Sequence, residues 1–275
     1  MVLETLITPW KAEKSPWEMF FYGFLYTSIA IFISLWIFRD YAGLVSVFIT
    51  VMACIPLLYG TFKMEEEKIS YFESESSLLK EHGKALSFFA FLFIGMTLAF
   101  ATWYVVMPVE VSESVFSVQS KTILAINGSA AGGVELFYKI FFNNIKVLTF
   151  CLLFSFLFGA GSIFILTWNA SVIAVAMGSL IKTFVFQSTA GPFMSHLGGY
   201  AGAIMRYFLH GVPEVMAYFV AALAGGIIST AIIKKDMGTK KFQKIAFDTS
   251  NLILLSVAIL FLAGIIEAYI TPYFY

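Results

Sequence analysis

Three histidines are the natural starting point for chemistry in this chain. His210 and Glu214 stand at i and i+4, and His196 lies upstream of them. On a continuous helix His210 and Glu214 share one face. Imidazole with carboxylate suits zinc or iron, and an open coordination position would make such a site catalytic. A third ligand at motif spacing is missing, so the same spacing also describes a hydrogen-bonded His–Glu pair joined by Arg206 or Lys139. Pro213 favours a helix that begins there, which would place Glu214 in a first turn, where the helix dipole stabilises a carboxylate. Ser195 and His196 are adjacent and cannot face each other, and no Gly-x-Ser-x-Gly elbow is present, so nucleophilic catalysis finds no support. There is no nucleotide motif. The expectation is a protein that is not an enzyme and carries no cofactor, with a metal site on His196, His210 and Glu214 as the weak alternative.

Further polar residues stand in or beside apolar runs. Lys139, Asn143 and Lys146 fall at i, i+4 and i+7, with Asn144 beside them. Asn169, Arg206 and Glu267 follow. Together with His210 and Glu214 these residues would either line a polar cavity on an ion or substrate path, or form a network that glues helices together.

The elements that must position them are membrane spans. Of 275 residues 60% are hydrophobic and 12% charged, about half the charge of a soluble domain, and mean hydropathy is +0.87. These values exclude a disordered chain, a nucleic-acid-binding domain and an ordinary soluble enzyme, and make the lipid bilayer the first partner. Lys and Arg balance Asp and Glu at 17 each, so net charge names no partner. Cys54 and Cys151 lie in apolar runs and read as buried thiols. The polar stretch around Lys11 and Lys14 is no signal peptide; Trp10 and Trp17 beside it suit an interfacial segment.

A helix needs about 20 mostly apolar residues to cross the hydrocarbon core. Seven segments qualify: 17–38, 42–62 with a kink at Pro56, 85–107, 147–168, the short 170–185, 212–233 and 252–270. The fold class is therefore all-α, a polytopic bundle of seven spans, or six if the fifth is re-entrant. With the N-terminus inside, eleven Lys fall on the inner side and six Lys and Arg on the outer. That bias places the N-terminus in the cytoplasm and the C-terminus outside the cell membrane.

Two regions result: 1–134, with three spans and an acidic cytoplasmic loop at 63–84, and 135–275, with four spans. The loop mixes six Glu with four Lys and reads as a solvated helix with His82 facing water; a docking surface is its functional alternative. The run from Asn127 to Gly133 reads as a flexible linker containing a glycosylation sequon. Gly159 and Gly161 in the middle of the fourth span would admit another helix. Trp168-Asn169 would form a tight hairpin. Ala170, Ala174 and Gly178 repeat at four-residue spacing and should pack against span six, which carries Gly225 and Gly226 on its own small-residue faces. The stretch 186–206 suits a re-entrant or interfacial segment.

The set Asn143-Asn144, Gly159-x-Gly161, Asn169, His210-Gly211-x-x-Glu214 and Glu267-Ala-x-x-Thr271-Pro272 resembles the stage II sporulation protein M family over roughly residues 135–275. After Asn169, where that family often has Gly, this chain has Ala170, still a small residue. The resemblance implies an all-helical multi-pass membrane protein. The namesake of the family works as a membrane anchor in a complex with peptidoglycan-degrading partners. The two extra N-terminal spans and the acidic loop set this chain apart from it, and a sporulation role is not expected. The reading is a non-enzymatic membrane scaffold or assembly factor with a membrane or envelope protein partner and no nucleic acid. Homo-oligomerisation is a further possibility. A transporter or channel built on His210 and Glu214 is the alternative, and an intramembrane metalloenzyme the second.

Overall fold

A computed structural model describes residues 7–71, 75–127, 133–158, 161–187 and 193–271. All regular structure among them is helical. A short α1 (Pro9–Lys14) precedes α2 (Glu18–Ile37). A 3-10 turn (Arg39–Tyr41) leads into α3 (Ala42–Tyr71), and α4 (Glu75–Val106) returns beside it. Two short helices, α5 (Val109–Val115) and α6 (Ser117–Asn127), cap that end. Then come α7 (Gly133–Phe158), α8 (Ser162–Gln187), α9 (Phe193–Ile233) and α10 (Lys240–Ile265), which closes in a π-turn (Ile266–Ile270). Seven of these helices are long and apolar enough to cross a membrane. The chain is an all-α polytopic bundle.

The bounds of several spans differ from the sequence expectation. The fourth span begins at Gly133, not at 147, and the break between spans four and five falls at Phe158–Ser162, not at Trp168-Asn169. Gly161, a poor helix former, lies in the turn just before α8, and Gly159 is outside the described residues. Asn169 stays helical because its Nδ2 donates to the Ile165 carbonyl at 2.8 Å, so its amide is satisfied within its own helix. The stretch 186–206 is not re-entrant where it is described: from Phe193 it belongs to α9, which runs through Pro213 to Ile233. Proline removes one backbone donor, but it does not start a new helix here. The Asn127–Gly133 linker lies largely outside the described residues.

The acidic stretch 63–84 is helical where it is described, as expected, but it is not a solvated face. The 30 residues of α3 and the 32 of α4 exceed the about 20 needed to cross, so both helices continue past the apolar segment. Their extensions carry Glu65, Glu66 and His82 inward, each fully buried. This overturns the solvated reading, because the core stripe of α3 runs on without a break through Leu58, Phe62, Glu65 and Ile69. On α4, Leu78, His82, Ala85 and Phe89 do the same. Spacings of three and four keep these residues on one helix face.

At the centre stands α9, with 78% of its apolar window buried, against 22% for α7. Small residues allow this. A Cβ on Gly225 would meet Ser155 Cβ of α7 at 2.7 Å, and one on Gly226 would strike the Phe62 ring of α3. The helix is thus pinned between two neighbours through successive residues. Ala170, Ala174 and Gly178 are buried on α8. That helix lies mainly on α4 rather than on the sixth span: a Cβ on Gly178 would meet Tyr104 at 2.7 Å. At another crossing, Gly23 of α2 faces the Leu92 carbonyl of α4 and Gly95 faces that of Phe20. The two backbones touch where no side chain intervenes.

A Gly95→Ala substitution is expected to cost about 1–3 kcal/mol through this backbone clash, read as a lower midpoint of thermal unfolding in detergent. Gly83→Ala, with nothing within 4 Å of the new methyl, should leave the midpoint unchanged or raise it.

Candidate functional site

The apolar half of the chain builds one polar cluster. Glu214 and Tyr218 sit one turn apart on α9, and Tyr218 Oη donates to Glu214 Oε1 at 2.6 Å. Asn144, buried on α7, is placed beside the same carboxyl. Glu267 stands in the π-turn, which packs against α7 and α9, and its charge reaches Tyr218. Thr271 Oγ1 donates to the Ile266 carbonyl at 3.1 Å and ties the end of that turn. A π-turn widens the helix by one residue and frequently marks functional positions. The arrangement holds one carboxyl between a phenol and an amide inside a membrane bundle. Such an arrangement can hold a proton or orient a polar ligand, and without its partners the group would be costly to place inside a bundle.

Not every residue of the sequence-derived cluster joins it. Asn144 points inward, but its neighbour Asn143 is turned about 100° away on the helix and is exposed. Lys139 and Lys146 share that exposed side of α7. Asn169 bonds within its own helix. The side chains of His196, Arg206 and His210 lie outside the described residues, and so does the proposed His210–Glu214 pairing. Among the described residues no three His, Cys, Asp or Glu are placed to hold a metal ion. Cys54 and Cys151 are both buried free thiols.

A second, ionic cluster holds the other end of the bundle, and the sequence reading missed it. His82 Nδ1 lies 2.6 Å from Glu65 Oε2, and its Nε2 lies 3.1 Å from Asp248 Oδ2. The ring therefore bridges α3 and α10. Lys68 Nζ reaches Glu65 Oε1 at 2.5 Å and Glu13 Oε2 of α1 at 2.7 Å. Beside it, the buried Glu66 is clamped by Lys234 and Lys241, each at 2.5 Å. Lys241 also reaches Asp236 at 3.0 Å, within the tight 234–239 turn where Lys235 adopts φ 61° and Gly238 φ 85°. Burial disfavours the Lys234 charge, but the carboxylates of Glu66 and Glu67 outweigh it and raise its pKa above the ordinary lysine value. Glu13 shifts further: burial, with the Glu65 carboxylate beside it, pushes its carboxyl up to about 8. The signal available in the sequence was periodicity, since Glu65 and His82 continue the apolar stripes of their helices.

Fold and site together define a polytopic helical membrane protein with a buried polar cluster in its C-terminal spans. The family model described as stage II sporulation protein M matches residues 85–272, and the chain belongs to that family. The match reaches back to α4, beyond the 135–275 that the motifs alone suggested. No curated protein and no solved structure matches the chain.

His82→Leu removes the bridge and leaves the buried Glu65 oxygen without its partner. Breaking one side of a buried ion pair costs on the order of 3 kcal/mol. We expect a matching fall in stability, measured by thermal unfolding of the purified protein, whereas Lys84→Leu, an exposed pair with Glu81, should be nearly neutral.

Proposed function

We propose that this family member is a non-enzymatic membrane scaffold or assembly factor, with its N-terminus and lysine-rich end in the cytoplasm and its C-terminus outside. The observation that carries the reading is the outward polar side of α7. Lys146 lies at the middle of this 26-residue helix, is exposed, and shares its side with Lys139 and Asn143. An unpaired Lys at the centre of a lipid-facing helix costs about 2.5–3.5 kcal/mol on insertion scales. A partner's transmembrane helix bearing Asp or Glu would remove that cost by charge pairing. A second copy of this chain would set lysines against lysines across a twofold axis, so charge favours a different protein. The packed interior supports the same reading: the cavity between Leu58, Phe89, Met96, Ile163 and Phe219 measures about 10 Å³ and is lined by apolar groups. The inward turn of Glu65, Glu66 and His82 leaves Lys63, Glu67, Lys80 and Lys84 as the exposed charges among the described residues of the 63–84 stretch.

A second reading, a transporter, draws on the Asn144–Glu214–Tyr218 cluster, a half-buried carboxyl among the C-terminal spans. It requires Glu214→Gln to abolish flux of protons or small ions in proteoliposomes while the protein stays folded.

For the scaffold, a photo-crosslinking residue at Asn143 in the native host should capture one membrane protein at near-equal stoichiometry, identified by mass spectrometry. Replacing both Lys139 and Lys146 with Glu should lose that product at least tenfold without changing the thermal midpoint. Adducts to lipid alone would overturn the reading.

A further inference from the structure

The helix α1 has only six residues, yet the Glu13 side chain is 8% exposed. One ammonium, that of Lys68, draws two carboxylates together, 2.7 Å from Glu13 Oε2 and 2.5 Å from Glu65 Oε1. The remaining oxygen of Glu65 is taken by His82. The remaining oxygen of Glu13, Oε1, is buried and accepts from no donor. The groups that face this point are Glu65 and Lys68 from α3, Glu81 and His82 from α4, and, through His82, Asp248 from α10. Four acids thus surround one lysine and one imidazole. The lysines of α1 itself do not offset this: Lys11 pairs with Glu18, and Lys14 lies over the Trp10 ring. A buried carboxylate oxygen with no donor, beside a second carboxylate, is disfavoured by both desolvation and repulsion. A proton on it removes both penalties and supplies the missing donor.

We propose that Glu13 and Glu65 form a proton-binding site, a carboxylic acid–carboxylate pair sharing one proton, and that this proton latches α1 onto the α3–α4 hairpin. The rest of the docked contact is small: Ile7 and Ala12 are buried, and Pro9 lies where a Cβ on Gly60 would be, at 2.7 Å. The proton therefore decides whether α1 stays. Docked Glu13 titrates near 8, against an ordinary value of 4.5. Between those values the docked state holds more protons than the released state, so docking weakens as pH rises. It is strongest below about 4.5 and has lost the proton's whole contribution once pH passes about 8. Release would uncover the α3–α4 surface beside Gly60 at the lysine-rich end.

The test is pulsed electron–electron resonance on the full-length protein in nanodiscs. Spin labels go on the exposed positions Trp10→Cys and Lys80→Cys; both native cysteines are buried. A second pair, Lys80→Cys with Met237→Cys, monitors the bundle. Between pH 5.5 and 9.5 the first pair should pass from one short distance to a longer, broader distribution, half developed near pH 8. The second pair should stay constant. Glu13→Gln, neutral and a donor as the acid is, should keep the short distance at every pH. A wild-type distance that never changes, a Glu13→Gln protein that opens like the wild type, or a second pair that moves with the first would each overturn the proposal.

Discussion

Inside a bilayer a polar group has no water to fall back on, and this constraint organises the whole molecule. The backbone meets it by being helical throughout the described spans. Hydroxyls meet it locally: Ser34, Thr50 and Thr61 each donate to the carbonyl four residues earlier. Where a hydroxyl reaches across instead, it ties helices together, as Ser155 of α7 does at 2.9 Å from the Ala222 carbonyl of α9. Glu214 meets it through Tyr218, with Asn144 beside it. Lys146, on the outward side of α7, has no ion-pair partner among the described residues.

Close packing is the second consequence. Lipid tails are as apolar as leucine, so burying leucine drives little association between spans, and contact has to come from fit. Hence backbones touch where Gly23 and Gly95 omit a side chain, and α9 is seated by Gly225 and Gly226 against two different helices. A helix buried on this scale leaves little freedom to rock. The peripheral α7 and α10, with 22% and 28% of their windows buried, are the spans least covered by the rest of the bundle.

The two polar clusters differ in kind. The ionic one lies beyond the apolar segments and joins α1, α3, α4, α10 and the 234–239 turn, so it closes one end of the bundle around buried charges. The Glu214 cluster lies within the spans matched by the family and involves fewer groups. One sets how the lysine-rich end is held together. The other joins one carboxyl, one phenol and one amide among the C-terminal spans.

The sequence by itself determined the solvent and the class. Its apolar content set seven spans, because crossing hydrocarbon needs length and hydropathy that are local properties of the chain. The order of Asn144, Glu214 and Glu267 marked the C-terminal half as belonging to its family, and those three positions come together on α7, α9 and the π-turn. Where each helix ended was not legible, because an Asn that bonds to its own helix, as Asn169 does, looks in sequence like a breaker. Nor did composition separate Asn143 from Asn144, which are one residue and about 100° apart. Only the tertiary structure decided that Glu65 and His82 turn inward. A charge run is solvated or buried according to what packs against it, and here the partners are Glu13, Lys68 and Asp248, brought from three separate segments of the chain.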